Sequence, residues 1–407
     1  MKIFAYTVIL MSVVMLSCKK IYTPQLTSVS TNFLAIDGPI ISGDSTFIRL
    51  SRTTRLTDTT QNKAELKAIV AIENDQNTLY PLTEKGAGLY VLGITNFDVS
   101  RKYRLDIKTS NGKIYQSDFV PMKTTGPIDS VYFEPKDSNH IQFYLDAHDP
   151  TNKTRYYRWD YKETWRYTSL LKYQFYYNNG VVSNLTSADP DISTCYRTAL
   201  SNEVFVGSSA LLANDVITKQ QLGGVDNSEK IVRGYVLQVR QYALTKEGFE
   251  YYQNLKTNTE QLGSLFDSQS SILKGNIHCI TNPAEMVIGF ISLSTVTSKQ
   301  VNLSYAQIPI RFTNLYGTLE WFKGHFYNSF TPFKPEPGNC EVKSIPELPA
   351  ATFKTRADAI LSSGNNILFD EDLSYPATSY TYFYAPKECV DCRATGGTTT
   401  KPSYFPF

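Results

Sequence analysis

The 407-residue chain has almost no net charge, because 40 Lys and Arg oppose 38 Asp and Glu and leave +2. A protein that binds nucleic acid through its phosphates needs a strongly basic surface, so this balance excludes an electrostatic nucleic-acid binder. Gly and Pro are also few, at 22 and 19 residues. That content excludes collagen-like and low-complexity chains.

Motifs that carry catalysis or hold cofactors are missing as well. The chain has no Walker loop, no GxSxG nucleophile elbow and no HExxH zinc motif. Its four histidines form no pair at the spacing of helical metal ligands. We therefore predict no enzyme, no cofactor and no metal site. An unrecognised hydrolase remains as an alternative.

Long hydrophobic runs are confined to the N-terminus. The apolar stretch over residues 3–16 is too short to span a bilayer and is typical of a signal peptide. A small residue before Cys18 resembles a bacterial lipobox, in which the cysteine is acylated and becomes the mature N-terminus. We predict a signal peptide over residues 1–17, lipidation at Cys18 with anchoring to the lipid bilayer, and a tether over residues 18–31. An ordinary cleaved secretory signal is the alternative.

Export by this predicted signal peptide would place the remaining cysteines in an oxidising compartment, where cysteines usually form disulfides. The candidates are Cys195, Cys279, Cys340, Cys389 and Cys392. An odd number allows at most two bridges and one free thiol. The Cys-Val-Asp-Cys spacing also suits a redox or half-zinc motif, but it lies in a Gly/Thr-rich tail with no further ligand pair beside it. Structural disulfides are therefore favoured, with Cys340 bonded to Cys389 or Cys392 as a hypothesis from proximity.

Tyrosine and phenylalanine are abundant, with 28 and 22 residues, and both favour strands. Residues 32–122 contain six or seven short alternating runs, and Asn111-Gly112 between two of them is a strong hairpin signal. We predict a mainly β protein that begins with an Ig-like or regulatory-type β-sandwich over residues 32–122. Residues 128–407 form a larger β-rich domain with helices near residues 246–266 and 354–361.

The most regular pattern in the chain is a run of aromatic residues at alternate positions. Its members are Tyr157, Trp159, Tyr161, Trp165 and Tyr167, with polar residues between them. A period of two predicts a long strand with one aromatic and one wet face. The aromatic face either covers the core of a sheet or forms a stacking platform for a sugar ring or a peptide side chain. The five aromatic residues are our candidate ligand-binding site.

Several segments, taken in order, resemble the DUF4249 family of Bacteroidota outer-membrane lipoproteins. They include Leu-Ala-Ile-Asp-Gly at residues 34–38, Gly-Ser-Leu-Phe-Asp at 263–267, Leu-Lys-Gly-Asn-Ile at 273–277 and Cys-Val-Asp-Cys-Arg at 389–393. Members of this family are commonly encoded beside SusC-like TonB-dependent transporters. The resemblance implies a SusD-like accessory role in nutrient uptake at the cell outer membrane, and it brings no catalytic residue with it.

We therefore expect a non-catalytic lipoprotein that captures a peptide or glycan, or acts as a lid, for a SusC-like transporter. A structural or adhesive lipoprotein of the cell envelope is the alternative. Lys19 and Lys20 follow the predicted lipid cysteine, where surface-exported lipoproteins often carry acidic residues. Both the periplasmic and the surface face of the outer membrane therefore remain open.

Overall fold

A computed structural model describes most of the chain. The described residues are 32–54, 63–137, 140–226, 228–260, 273–307, 340, 343–346, 348–373 and 380–407. The predicted signal peptide, the lipidation site Cys18 and the tether lie outside these ranges.

The first region is built from short strands. They are β1 (Leu34–Asp37), β2 (Ile40–Ser42), β3 (Thr46–Arg52), β4 (Lys63–Ala64), β5 (Ile69–Asn74), β6 (Leu79–Pro81), β7 (Thr83–Glu84), β8 (Leu89–Leu92), β9 (Lys102–Lys108), β10 (Ile114–Ser117) and β11 (Val120–Pro121). The hairpin predicted at Asn111-Gly112 is confirmed, because β9 and β10 pair antiparallel across it. Gly112 has φ +84°, a conformation that such turns require and glycine adopts freely.

The second region begins with longer strands and continues into helices. It contains β12 (Ile128–Pro135), β13 (His140–His148), β14 (Tyr156–Thr168), β15 (Phe175–Asn178), β16 (Val181–Asn184), β17 (Thr194–Leu200), β18 (Phe205–Ser208), β19 (Val216–Asp226), α1 (Glu229–Val232), β20 (Tyr235–Ala243) and α2 (Lys246–Glu260). The remaining elements are β21 (Ile277–Cys279), β22 (Val287–Ile288), β23 (Leu293–Leu303), β24 (Lys343–Pro346), α3 (Ala350–Leu361), β25 (Asn366–Leu373), β26 (Tyr380–Pro386) and α4 (Lys387–Val390), with 3-10 turns at Tyr305–Gln307 and Cys392–Thr395.

The mainly β fold is as predicted, and its first part is a sandwich of two sheets. One sheet has the order β22-β1-β3-β8-β7, with β4 on β3, and the other has the order β21-β10-β9-β5-β6, with β11 on β9. Alternate residues of each strand are buried between the sheets, as in β3, where Ile48 and Leu50 face Val70, Leu105 and Ile107 of the other sheet. Their removal from water is the main force that holds the sandwich together.

The second region is organised around a larger sheet with the order β17-β14-β20-β23-β2, to which β18 adds beside β14. A three-stranded sheet, β12-β13-β19, packs on one face of it, and Phe143 stacks 5.6 Å from Tyr235 between the two. Two further sheets are separate from these: the three-stranded sheet β24-β26-β25 and the two-stranded hairpin β15-β16. The two predicted helices are confirmed as α2 and α3, while residues 261–266 lie outside the described ranges.

The two regions share strands, which the predicted boundary did not anticipate. Residues 128–407 were assigned to the second domain, yet β21 and β22 complete the sandwich by pairing with β10 and β1. In the opposite direction, β2 of the first region pairs with β23 of the second. The physical reason is that β1 and β10 would otherwise present unpaired backbone groups at a sheet edge. The exchange of strands joins the two regions through continuous backbone ladders.

Candidate ligand-binding cleft

The alternating aromatic run forms the central strand β14, as the sequence predicted. Its ladder runs along β20 on one side and along β17 and β18 on the other. Because successive side chains of a strand point to opposite faces, the aromatic residues share one face. Arg158, Asp160 and Lys162 lie on the other face. The two faces have entirely different surroundings.

The aromatic face is core, so the predicted stacking platform is wrong for four of its five residues. Tyr157, Trp159, Trp165 and Tyr167 are at most 6% exposed. The sheet β12-β13-β19 covers them, because only a second apolar layer can remove so much aromatic surface from water. Tyr161 is half-buried; its ring lies 5.7 Å from that of Phe205 and borders the cleft described below.

The polar atoms of Tyr157, Trp159 and Tyr167 have structural partners, whereas Nε1 of Trp165 is buried without a hydrogen-bond partner among the described residues. Nε1 of Trp159 donates to Oε1 of Gln241 at 2.7 Å. The hydroxyl of Tyr157 donates to the buried carboxylate of Asp215. A buried donor that already has a partner has little capacity left for a ligand. These contacts therefore identify Tyr157 and Trp159 as structural residues.

The polar face of the same strand forms the floor of a cleft of about 1000 Å³. The floor continues across β20 and β23. One wall is the outer face of the sandwich sheet around Phe47, and the opposite wall is helix α2 around Tyr252. The loop over residues 201–204 closes a third side. The cleft therefore lies between the two regions, a common location for ligand sites.

A network of charges occupies the floor. Arg240 binds the carboxylate of Asp160 in a bidentate manner, with Nε 2.8 Å from Oδ1 and Nη2 3.2 Å from Oδ2. Arg158 also approaches Asp160, with Nη2 3.4 Å from Oδ2. One carboxylate thus faces two guanidinium groups. Around the whole lining, five cationic side chains oppose three acidic ones, namely Arg49, Arg158, Lys162, Arg240 and Lys299 against Asp37, Asp160 and Glu203.

The guanidinium of Arg158 lies over two tyrosine rings. Its Cζ is 4.9 Å from the centroid of Tyr242 on the neighbouring strand and 4.8 Å from that of Tyr252 on α2. Contacts of this kind between a cation and a ring are attractive, and they grow stronger where water is excluded. The side chain is therefore held in one place at the centre of the cleft.

The ionisable groups keep the charges of this network constant. Burial would lower the pKa of Arg158, but Tyr252, Asp160 and Tyr242 raise it above its usual value. The pKa of Arg240 is also raised, because Asp160 outweighs the effect of burial. Burial raises the pKa of Tyr242 and of Tyr252. Both arginines stay charged and both tyrosines stay protonated across the physiological pH range.

Among the described residues that line the cleft, one fully buried polar atom lacks a well-formed hydrogen bond. The side chain of Tyr242 is 1% exposed, and its hydroxyl has no partner in good hydrogen-bonding geometry within the part of the chain that the structure describes, although the carboxylate of Asp160 is close to it. Such groups are uncommon in folded proteins, because an unpaired buried hydroxyl is costly. A water molecule or a polar ligand group in the cleft would satisfy it.

Two large apolar side chains at the cleft are unusually open to solvent. Phe47 is 48% exposed and Leu200 is 71% exposed. They belong to different parts of the lining, Phe47 to the sandwich and Leu200 to the end of β17. Exposed apolar surface beside a charged floor gives the cleft the mixed character of many ligand sites.

The cysteines form two bridges, and the prediction of structural disulfides is confirmed. Cys340 is bonded to Cys389, one of the two partners proposed from proximity, and Cys195 is bonded to Cys392. Cys279 is a buried free thiol. Since Cys389 and Cys392 are bonded to different partners, their Cys-x-x-Cys spacing is not a redox pair.

No cluster of three or more His, Cys, Asp or Glu that could hold a metal ion occurs among the described residues. The three histidines in the described ranges each contact an aspartate, as in His148, whose Nδ1 lies 2.7 Å from Oδ1 of Asp129. Helices long and apolar enough to cross a membrane are likewise absent from those ranges.

The sequence reasoning missed the cleft because it attended to the aromatic side of β14. The signal that could have found the cleft is the charged alternation of Arg158, Asp160 and Lys162 in a strand predicted to be central. Charges on a central strand need partners or a ligand. Arg240 on β20 could also have been placed from the alternation of that strand, whereas the contribution of Tyr252 depends on how α2 packs.

Comparison with known proteins identifies a family. The model of DUF4249, a domain of unknown function, matches residues 19–300. No curated protein matches the sequence. Among solved structures, a two-domain fibronectin type III segment of chicken tenascin is 9% identical, with 52% of this chain and 90% of that chain covered and a TM-score of 0.15. The chitinase ChiA74 from Bacillus thuringiensis is 10% identical over 49% of this chain and 30% of its own, also with a TM-score of 0.15.

Proposed function

This chain belongs to the DUF4249 family, and on that premise we propose that it is an outer-membrane lipoprotein that captures a substrate for a SusC-like TonB-dependent transporter. The role requires an anchor, a cleft that holds a ligand, and a surface that meets the transporter. It requires no catalytic residue. The ligand is released unchanged to the transporter.

The observation that carries the proposal is the cleft of about 1000 Å³ with a charged floor and apolar sides. Its volume is at the upper end of what ligand sites usually offer, and an elongated or oligomeric substrate would fill it. A cleft of this kind is difficult to explain in a purely structural lipoprotein, because its floor keeps Arg158 and Tyr242 only partly paired at a cost in stability.

The sandwich wall and the floor of the cleft are fixed to one another. The pairing of β2 with β23 connects the sandwich wall to the floor through backbone hydrogen bonds. A preformed site binds more tightly than one that must be ordered, because little conformational entropy is lost on binding. Capture from dilute solution at an outer membrane benefits directly from this property.

The anchor in the proposal is an acylated Cys18. Each buried methylene of an acyl chain contributes about 0.8 kcal/mol to membrane binding, so several chains make the attachment effectively permanent. The polar tether over residues 18–31 would hold the folded part away from the lipid surface.

Mass spectrometry of the native N-terminus tests the anchor. We expect a chain that begins at an acylated Cys18, and a bare or uncleaved N-terminus would contradict the proposal. The variant Cys18→Ala should appear in the soluble fraction of the cell envelope. The matched variant Ser17→Ala, which keeps a small residue before the cysteine, should remain with the membrane.

Co-purification tests the partner. The full chain, extracted in mild detergent, should bring a TonB-dependent barrel with it in stoichiometric amount. Extracts in which the chain is abundant and every such barrel is absent would contradict the accessory role and favour a structural or adhesive protein.

A further inference from the structure

Most of the hydrogen-bonding capacity of Arg158 is unused. A guanidinium has five N–H donors, and those of Arg158 contact Asp160, at 3.4 Å, and the hydroxyl of Tyr252. That distance is long compared with about 2.9 Å for a typical N–H···O bond. Asp160 cannot accept much more, because Arg240 already engages both of its oxygens. A charged fork with free donors therefore faces the cleft.

The geometry of this fork suits a carboxylate. Two parallel N–H groups of an arginine match the two oxygens of a carboxylate, a pairing that is stronger and more directional than a contact with a lysine. The rings of Tyr242 and Tyr252 hold the guanidinium in place before a ligand binds. Little side-chain entropy is then lost when the pair forms.

The rest of the lining suits a peptide. Phe47 and Leu200 offer exposed apolar surface to side chains beside the charged floor. Ser298 and Asn202, which also line the cleft, can donate to and accept from backbone amides. A peptide combines apolar side chains, amides and carboxylates within a few residues, and so matches all three kinds of lining.

A glycan fits the lining less well. Sugar rings are commonly held by stacking on an open aromatic face. The two tyrosine rings beside Arg158 are closed to such stacking, since Tyr242 is 1% exposed and Tyr252 is 6% exposed, and both are in contact with Arg158. Tyr161 packs against Phe205. Phe47 is one exposed ring, but it lies on the wall and away from the charged centre.

We propose that the cleft binds peptides by a carboxylate, supplied by an acidic side chain or by the peptide C-terminus, which pairs with the guanidinium of Arg158 while apolar side chains of the peptide contact Phe47 and Leu200. This inference rests on the proposed capture function and names its substrate class. It does not depend on which transporter receives the peptide.

The test measures binding of defined peptide pools to the full chain in detergent by isothermal titration calorimetry. One pool consists of C-terminally amidated hexapeptides with one glutamate among apolar residues. A second pool has glutamine in its place, and a third has glutamine with a free C-terminus. We expect the pools with a carboxylate to bind at least about tenfold more tightly than the pool without one, the loss anticipated for a charge-assisted pair.

Variants of Arg158 test whether its guanidinium is the group that pairs with the carboxylate. Arg158→Met keeps an unbranched side chain beside the rings and should remove the preference for a carboxylate, and Arg158→Lys should restore it only in part. The matched control is Arg104→Met, since Arg104 also pairs with a carboxylate, that of Glu73, and lies over a ring, 4.7 Å from Phe119, but does not line the cleft. Binding by the control should equal that of the unmodified chain.

Equal binding of the glutamate and glutamine pools would overturn the inference, as would an unchanged preference in Arg158→Met. So would the absence of binding by any pool, or binding of an oligosaccharide of glucuronic acid in place of peptides. If Arg158→Met does not fold, the comparison between pools and the Arg158→Lys variant still decide the outcome. Co-purification with a transporter remains a separate result, so the accessory role and the choice of substrate can fail independently.

Discussion

The two faces of β14 contain neighbouring residues with opposite roles. Trp159 is 1% exposed and has its one polar atom bonded to Gln241. Arg158, the residue before it, lies in the cleft with most of its donors unused. The backbone environment of the two residues is nearly the same, because both belong to the same ladder. What differs is the layer that packs on each face.

The difference shows that a strand face rich in aromatic residues need not be the face that is available to a ligand. The face with more aromatic residues has more to gain from leaving water, so it becomes the core when a second apolar layer is available. The polar face cannot be covered in that way, because its charges must keep partners or solvent. The candidate ligand site is therefore on the face with less hydrophobic content.

The largest effect should come from truncation on the core face. Trp159→Ala removes a fully buried indole and leaves Gln241 without its donor, and such truncations cost about 3–5 kcal/mol. We expect a lower midpoint of denaturant unfolding and a loss of peptide binding only in proportion to unfolded protein. A variant of full stability would contradict the assignment of Trp159 to the core.

The next effect concerns the disulfide at the far end of the same face. Cys195 lies opposite Tyr167 in the ladder, and its bond to Cys392 fastens the C-terminal segment there. The double variant Cys195→Ser/Cys392→Ser should lose about 2–5 kcal/mol of unfolding free energy. Thermal unfolding with and without reductant measures it, and the reductant should have less effect on the double variant than on the unmodified chain.

A smaller, pH-dependent effect should come from the loop that supports Tyr157. Asp149 accepts hydrogen bonds from the backbone of Thr151, Lys153 and Thr154. Burial by itself would raise the pKa of Asp149, but these bonds and one from the Thr151 hydroxyl lower it to about 2. Because the folded-state pKa lies below the unfolded value of 3.8, the carboxylate stabilises the fold above that value and ceases to do so as the pH falls through about 2.

The variant Asp149→Asn tests this dependence. It should unfold at a lower temperature than the unmodified chain at pH 6, and the difference should shrink as the pH falls from 4 toward 2. A difference that is independent of pH would mean that the charge of Asp149 has no part in holding the loop.

The smallest effect on stability should come from the cleft face. Lys162 is half-buried at the cleft, and its Nζ lies 4.3 Å from the ring centroid of Tyr404. Lys162→Gln should change the unfolding free energy by no more than about 0.5–1 kcal/mol, as for surface cation–ring contacts. A loss as large as that of Trp159→Ala would show that the two faces do not differ in the way described.

Much of the local structure could be predicted because it depends on neighbours in the chain. The hairpin at Asn111-Gly112, the length of β14 and the start of α2 all follow from turn chemistry and from the period of apolar residues. The strand β19 was not predicted. Register shifts in its pairing with β13 interrupt its alternation, so no regular period can be seen in its sequence.

The candidate site was predicted only in part for a similar reason. Alternation placed the five aromatic residues on one face and Arg158 on the other, but it contains no information about the layers above and below. Phe47 and Tyr252 reach the cleft from elements that are distant in the chain. Their positions depend on the exchange of strands and on the packing of α2.

Composition and local pattern by themselves determined that the chain is mainly β, that the five cysteines after Cys18 could form at most two bridges, and that β14 has two unlike faces. These properties depend on residue type and on the spacing of near neighbours in the sequence, which do not change with the tertiary structure. The tertiary structure alone decided which face became core, which strands cross between the two regions, and where Arg158 meets Tyr242 and Tyr252. Those outcomes depend on which distant apolar surfaces cover one another, and that is a property of the whole chain.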